Sequence, residues 1–232
     1  MRSNSNREVS VNFENIPVFK SLSDKEKKVL TENSRLESFD IGSTIIERGE
    51  NNDTVYFLLM GEVHVLDYSG SGRALTYASL KEGDMFGEMS ALDGLPRSAW
   101  VCAIKPCRVA ALSGILFLEM LKQNAEASLA LLRQLSIRIR FADERLTEVS
   151  LLRTEQRACM ELIRMAKADP TRPGNYLILD MPTHANFANI IGSSRETVTR
   201  ILGKLKEESI IINIKGGLCV LNRERLENNA FL

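Results

Sequence analysis

Apolar and polar positions alternate along this chain with two different periods, and the changeover points define its organisation. Between about residues 13 and 35, Leu22, Val29 and Leu30 sit among charged neighbours, a helical texture. Ser23-Asp24-Lys25-Glu26 supplies an N-cap with Glu26 at the capping-box position. From about 36 to 112 short apolar runs replace it: Ile45-Ile46, Val55-Tyr56-Phe57-Leu58-Leu59-Met60, Val63-His64-Val65-Leu66 and Ala74-Leu75-Thr76-Tyr77. Turn signals at 48–53, Gly61-Glu62, Ser69-Gly70-Ser71-Gly72 and Glu82-Gly83-Asp84 separate them. Closely spaced strands with glycine turns predict an antiparallel sandwich or barrel.

After Ser113 the period turns helical. No Gly or Pro occurs between Asn124 and Leu152, and Leu132, Ile139 and Leu146 recur every seven residues. Leu135, Ala142 and Val149 follow each by three, an a/d stripe that suits a dimer seam better than a broad core face. A second helix is expected from Glu155 to Ala168, then a strand at Tyr176–Leu179. A helical pair follows, its first helix capped at Thr183 and its second running from Ser193-Ser194 to about Ser209. A hairpin turning at Lys215-Gly216-Gly217 closes the pattern. The domains read as a disordered tail (1–12), a sandwich (13–123), a dimerisation helix (124–151) and a C-terminal domain (152–232).

Composition changes this picture little. Lys plus Arg equals Asp plus Glu at 30 each, so bulk charge is silent on partners. The split is more informative: residues 1–151 carry three more acids than bases and residues 152–232 three more bases than acids, which directs an anion to the C-terminal part. No apolar run is long enough for a membrane span, and the polar N-terminus lacks a signal core. The four cysteines form no CxxC pair and suit reduced thiols in a cytoplasmic protein.

The segment Thr183-His184-Ala185-Asn186-Phe187-Ala188-Asn189-Ile190-Ile191-Gly192-Ser193-Ser194-Arg195-Glu196-Thr197-Val198-Thr199-Arg200-Ile201-Leu202 has helix, glycine turn, helix geometry. Its apolar positions would pack inward, leaving Arg195, Glu196, Thr199 and Arg200 outside near the start of the second helix. Arginine can grip guanine O6 and N7, glutamate can accept from cytosine N4, and the Thr183 and Ser194 hydroxyls can meet phosphate. The competing reading is a solvated face with a Glu196–Arg200 ion pair. The phrase Ser-Arg-Glu-Thr-Val-Thr-Arg-Ile-Leu, with the Gly-Gly hairpin after it, resembles the cyclic-AMP receptor protein/FNR family of bacterial transcription regulators. The resemblance runs from about residue 13 to 222. It implies that Arg195, Glu196 and Arg200 read bases of a TGTGA-like half-site and that Thr183 caps onto phosphate. His184-Ala185 departs from the receptor protein's Arg-Gln pair, so His184 is placed at a DNA or solvent contact.

A second polar set, Gly87-Glu88-Met89-Ser90-Ala91-Leu92-Asp93-Gly94-Leu95-Pro96-Arg97-Ser98-Ala99-Trp100, interrupts the strand-rich region. A glycine-entered turn exposes N–H groups, Arg97 carries a permanent fork-shaped cation and Ser98 a hydroxyl. Glu88 would repel phosphate, so it either accepts from a sugar hydroxyl or pairs with Arg97. From the residues alone, a ligand site and an internal Glu88–Arg97 salt bridge both stand. The segment resembles the phosphate-binding cassette of cyclic-nucleotide-binding domains. That implies Glu88 on the ribose hydroxyl and Arg97 and Ser98 on the cyclic phosphate, with Gly87, Met89, Ala99 and Arg138 completing the site. The family's base-contacting positions correspond to Ala142 and Asp143, where a carboxylate replaces a hydroxyl. Cyclic AMP is the first expectation and cyclic GMP the second.

No catalytic set, P-loop or metal cluster is evident, and no cysteine precedes Cys102 to hold an iron–sulfur cluster. His64, in an alternating strand, reads as an exposed polar position rather than a haem ligand. The expectation is an α+β protein, not an enzyme: an antiparallel β jelly-roll, a dimerisation helix and a winged helix-turn-helix. It would bind a cyclic mononucleotide and, as a homodimer, a palindromic duplex, its recognition helices about 34 Å apart. RNA polymerase is a further partner if it activates. The alternatives are a family member with a degenerate pocket, working without a cyclic mononucleotide, and a nucleotide-binding module acting on a protein partner.

Overall fold

The computed structural model describes residues 16–70, 72 and 74–231. The expected tail, residues 1–12, lies outside them. The chain divides into two compact units: the part up to Asp67 with Thr76–Ile139, and Tyr68–Leu75 with Arg140–Leu232.

The first unit opens on a 3-10 turn at Pro17–Phe19 and helix α1, Asp24–Asn33. Ser23 and Glu26 close the expected capping box: the Glu26 carboxylate accepts from the Ser23 N–H at 2.7 Å. The strands follow as β1 (Arg35–Phe39), β2 (Thr44–Ile46), β3 (Val55–Met60), β4 (Glu62–Tyr68), β5 (Ala74–Lys81) and β6 (Met85–Phe86). Helix α2 (Glu88–Asp93) leads to β7 (Trp100–Ala103) and β8 (Cys107–Leu112). Helix α3 (Gly114–Gln123), capped by Ser113, precedes α4 (Ala125–Leu151). Two antiparallel sheets form, ordered β1-β8-β3-β6 and β2-β7-β4-β5.

β3 shows why its sequence does not alternate. Tyr56 and Leu58 face the space between the sheets, joining Ile46, Val63, Phe86, Val101 and Val109. Val55 and Phe57 face the other way, onto Phe19, Phe117, Leu121, Ala127 and Leu131 of the helical layer. A strand covered on both faces must be apolar at every position. The Phe57 ring lies 4.6 Å from that of Phe19 and 6.2 Å from that of Phe117, centroid to centroid. His64 corrects the expectation of an exposed position: it is 4% exposed. Its neighbour Val63 is fully buried, so both faces of β4 are covered there.

The second unit carries α5 (Thr154–Met165), β9 (Lys167–Ala168), β10 (Tyr176–Leu179), α6 (His184–Ile191), α7 (Arg195–Glu207), β11 (Ile211–Ile214), β12 (Gly217–Val220) and α8 (Arg223–Phe231). Its sheet runs β11-β12-β10-β9. α5 stops three residues earlier than its expected end at Ala168, because Lys167 and Ala168 pair with β10 instead. The α8 helix was not expected. Asn222 caps it by accepting from the Arg225 N–H at 2.9 Å, and Leu226 and Ala230, four apart, enter the core with Phe187, Val198, Leu202 and Leu205. All four cysteines are free, and burial pushes the Cys159 thiol up to about 12, leaving it inert.

Candidate ligand pocket and nucleic-acid interface

The first site grows from one glycine. Gly87 closes β6 and enters α2 at φ +80°. A Cβ there would stand 2.8 Å from Arg97 Nη1 and 2.9 Å from the Thr54 carbonyl, so the close approach requires glycine. Through that gap Arg97, only 4% exposed, donates from Nη1 to the Gly87 carbonyl at 2.7 Å. Its Nη2 donates to the Thr54 carbonyl at 2.7 Å and to Asn52 Oδ1 at 3.2 Å. Among the described residues the buried Nε has no hydrogen-bond partner. Burial lowers the Arg97 pKa from its ordinary value, against Tyr56, Glu50, Asp53 and Glu88, which favour the cation.

Glu88, 3% exposed, goes neither to Arg97 nor outward. Its Oε1 accepts from Arg138 Nη1 at 2.7 Å, and Arg138 Nη2 donates to the Met85 carbonyl at 2.5 Å. Ser98 is exposed, its hydroxyl 3.6 Å from Met89 Sδ. Gly87, Glu88, Met89, Arg97, Ser98, Ala99 and Arg138 thus come together around one cavity of about 80 Å³, backed by Ile46, Val65, Phe86 and Val101. That is room for a phosphate and part of a sugar. A wider cleft of about 540 Å³ beside Asn51, Asp53, Ser90 and Leu95 has no cation in its lining and does not suit an anion. Ala142 and Asp143 belong to the second unit, where both are exposed. The Arg138–Glu88 pair spans fifty residues of sequence, and nothing in the local pattern signals it.

The second site is the α6–α7 pair. Thr183 caps α6, accepting from the Asn186 N–H at 3.2 Å, and Ser194 caps α7, accepting from the Thr197 N–H at 3.2 Å. Gly192 joins them at φ +64°, a left-handed turn. Val198, Ile201, Leu202 and Leu205 bury one side of α7, while Arg195, Glu196, Thr199 and Arg200 are exposed. Among the described residues no ion pair joins Glu196 to Arg200, or holds Arg195. The Glu196 carboxyl lies below its usual range through hydrogen bonds to its own N–H and to Ser194. His184 is half-buried, its Nδ1 2.8 Å from Thr199 Oγ1. Among the described residues no group of His, Cys, Asp and Glu could hold a metal, and no helix is long and apolar enough to cross a membrane.

A β-sandwich with a buried arginine at a glycine-entered turn, and a helix-turn-helix with an exposed charged face, define a sensor joined to a DNA reader. Residues 36–124 match the family described as cyclic nucleotide-binding domain, and residues 156–228 the Crp-like helix-turn-helix domain. The chain belongs to the cyclic-AMP receptor protein/FNR family and is a transcription regulator, not an enzyme. It is 32% identical over 172 residues to the cAMP-activated global transcriptional regulator CRP of Salmonella typhimurium, covering 73% of this chain and 81% of the relative. To the cAMP-activated regulator Vfr of Pseudomonas aeruginosa it is 30% identical, covering 77% and 85%. Its fold matches the c-di-GMP responsive regulator CLP of Xanthomonas campestris with a TM-score of 0.73 at 19% identity, over 85% of this chain and 99% of that one.

Proposed function

We propose that the protein is a cytoplasmic homodimeric regulator that binds a cyclic mononucleotide, cyclic AMP first and cyclic GMP second, and reads a palindromic TGTGA-like operator. The observation that carries the ligand half is Arg97: a buried guanidinium with one N–H uncommitted beside a cavity fit for a phosphate. Cyclic phosphate supplies the missing acceptor, the Ser98 hydroxyl adds a donor, and the sugar lies toward Glu88. The DNA half rests on Arg195, Glu196 and Arg200, exposed together at the start of α7 and, among the described residues, without ion-pair partners. In a major groove, two arginines and a glutamate match guanine edges and a cytosine amino group.

One observation favours a second reading, a regulator with no cyclic mononucleotide. Glu88 is already satisfied by Arg138, and both Nη atoms of Arg97 by protein oxygens. Calorimetry with cyclic AMP, cyclic GMP and cyclic di-GMP, followed by operator binding, separates the two. The proposal expects heat from a cyclic mononucleotide, its loss in Arg97→Gln, and ligand-dependent operator binding that Arg97→Gln abolishes. Operator binding of equal strength with and without every ligand establishes the second reading. Asp143→Ala tests base choice: an unchanged ratio of cyclic AMP to cyclic GMP affinity removes it from that role.

A further inference from the structure

His184 and Thr199 form a contact that neither the helix caps nor the base-reading charges require. His184 opens α6, and Thr199 stands one turn beyond Arg195 on α7. Thr199 Oγ1 donates its only proton to the Arg195 carbonyl at 2.9 Å. A hydroxyl has one proton and two lone pairs. The 2.8 Å contact with His184 Nδ1 occupies the same oxygen: with the hydroxyl proton on the Arg195 carbonyl, Nδ1–H is the donor to Thr199 Oγ1, and with the donor roles reversed the proton is spent on the ring instead.

The consequence falls on Thr199. Its oxygen is turned back onto the preceding turn of its own helix and held there from α6. No proton remains for guanine N7 or O6, for thymine O4 or for a phosphate. What the side chain keeps uncommitted is its Cγ2 methyl and one lone pair of the oxygen. Thr199 is exposed, as are Arg195, Glu196 and Arg200, while Val198, Ile201 and Leu202 are buried. Among base edges in a major groove, the partner for a methyl group is the C5-methyl of thymine.

We propose that Thr199 determines specificity by reading a thymine methyl within each half-site, and that His184 is the positioning residue that locks it in this role. The proposal rests on α7 being the major-groove helix. Selection from random duplexes with the full-length chain defines the half-site, and each thymine in it is then replaced by uracil, which deletes only the methyl. Wild type is expected to lose about fourfold in affinity at one such position, the worth of one buried methyl group. Thr199→Ser, which keeps the hydroxyl and loses the methyl, is expected to bind the thymine and uracil duplexes equally. His184→Ala is expected to shrink the thymine-to-uracil ratio while leaving guanine preference in place, which a merely structural role for His184 would not do. The proposal is overturned if no thymine is sensitive in wild type, or if Thr199→Ser keeps the same sensitivity. Guanine preference that survives the double substitution of Arg195→Ala and Arg200→Ala would bring down the major-groove reading itself, and this proposal with it.

Discussion

His64 shows how a single residue sets a condition on the fold. Burial in β4 lowers its pKa below the ordinary value near 6.5, with Glu62 opposing weakly. The folded protein therefore keeps the ring neutral at a pH where the unfolded chain already protonates it. A depressed folded pKa means stability that is complete above about 6.5 and lost as pH falls towards the folded value. His64→Leu is expected to flatten part of the fall in thermal midpoint between pH 7 and pH 5; calorimetric melts of both proteins across that range check it, and parallel curves would contradict it. The residue also marks where reading by alternation ends. Val63-His64-Val65 does alternate, and Val63 does face the core. Whether the other face meets water depends on what the rest of the chain lays over it, which no local pattern encodes. Arg97 is similar: its type and place were legible, but its three carbonyl and amide partners come from 45, 43 and 10 residues away.

At the scale of elements, caps and turns were legible because their chemistry is local. Ser23 with Glu26, Thr183, Ser194 and Gly192 all stand where spacing placed them. The joint between α4 and α5 was not, since its partners lie sixteen residues apart across a break at Leu152-Arg153. There Glu148 and Glu161, 7% and 8% exposed, meet two arginines. Arg145 donates to Glu161 Oε2 at 2.6 Å and lies over the Phe141 ring at 5.1 Å. Arg164 bridges both carboxylates, bonding Glu148 Oε1 and reaching Glu161 Oε2 at 3.2 Å. Such a box owes its worth to being complete: removing one carboxylate leaves a half-buried guanidinium uncompensated. Glu148→Ala is expected to destabilise the second unit by about 3 kcal/mol. Adding Arg164→Ala should restore part of that loss, an interaction that chemical denaturation of the two singles and the double measures. A double variant no better than the sum of the singles would show that the pair is not coupled.

For the whole molecule, the decisive pattern is the one that a single chain leaves unsatisfied. Leu132, Ile139, Leu146 and Val149 are 59%, 62%, 68% and 57% exposed along α4, whereas Leu135 packs on the first core. Large aliphatic groups repeating every seven residues in contact with water fit a second copy of the same helix. Ile139→Glu is expected to give a monomer in sedimentation at micromolar concentration. Its affinity for a full palindrome should fall by roughly 10²–10⁴-fold, the gain from linking two half-sites, while binding to an isolated half-site stays the same. A dimer that survives this substitution would move the interface elsewhere.

Arg97 carries a last consequence. Around its cavity the charge of Arg138 is cancelled by Glu88, so Arg97 leaves one positive charge in the lining. That matches a monoanion. When water opens a cyclic phosphodiester, the product is a monoester whose second ionisation lies near pH 6, so it carries close to two charges under neutral conditions. The added charge would enter a confined place with nothing to offset it, at a large cost in desolvation. On the cyclic-nucleotide reading, the receptor responds to an intact ring rather than to a nucleotide. Hydrolysis of that ring is then expected to end the signal without the cell having to remove the product, because breaking one P–O bond changes the charge that the pocket must accept.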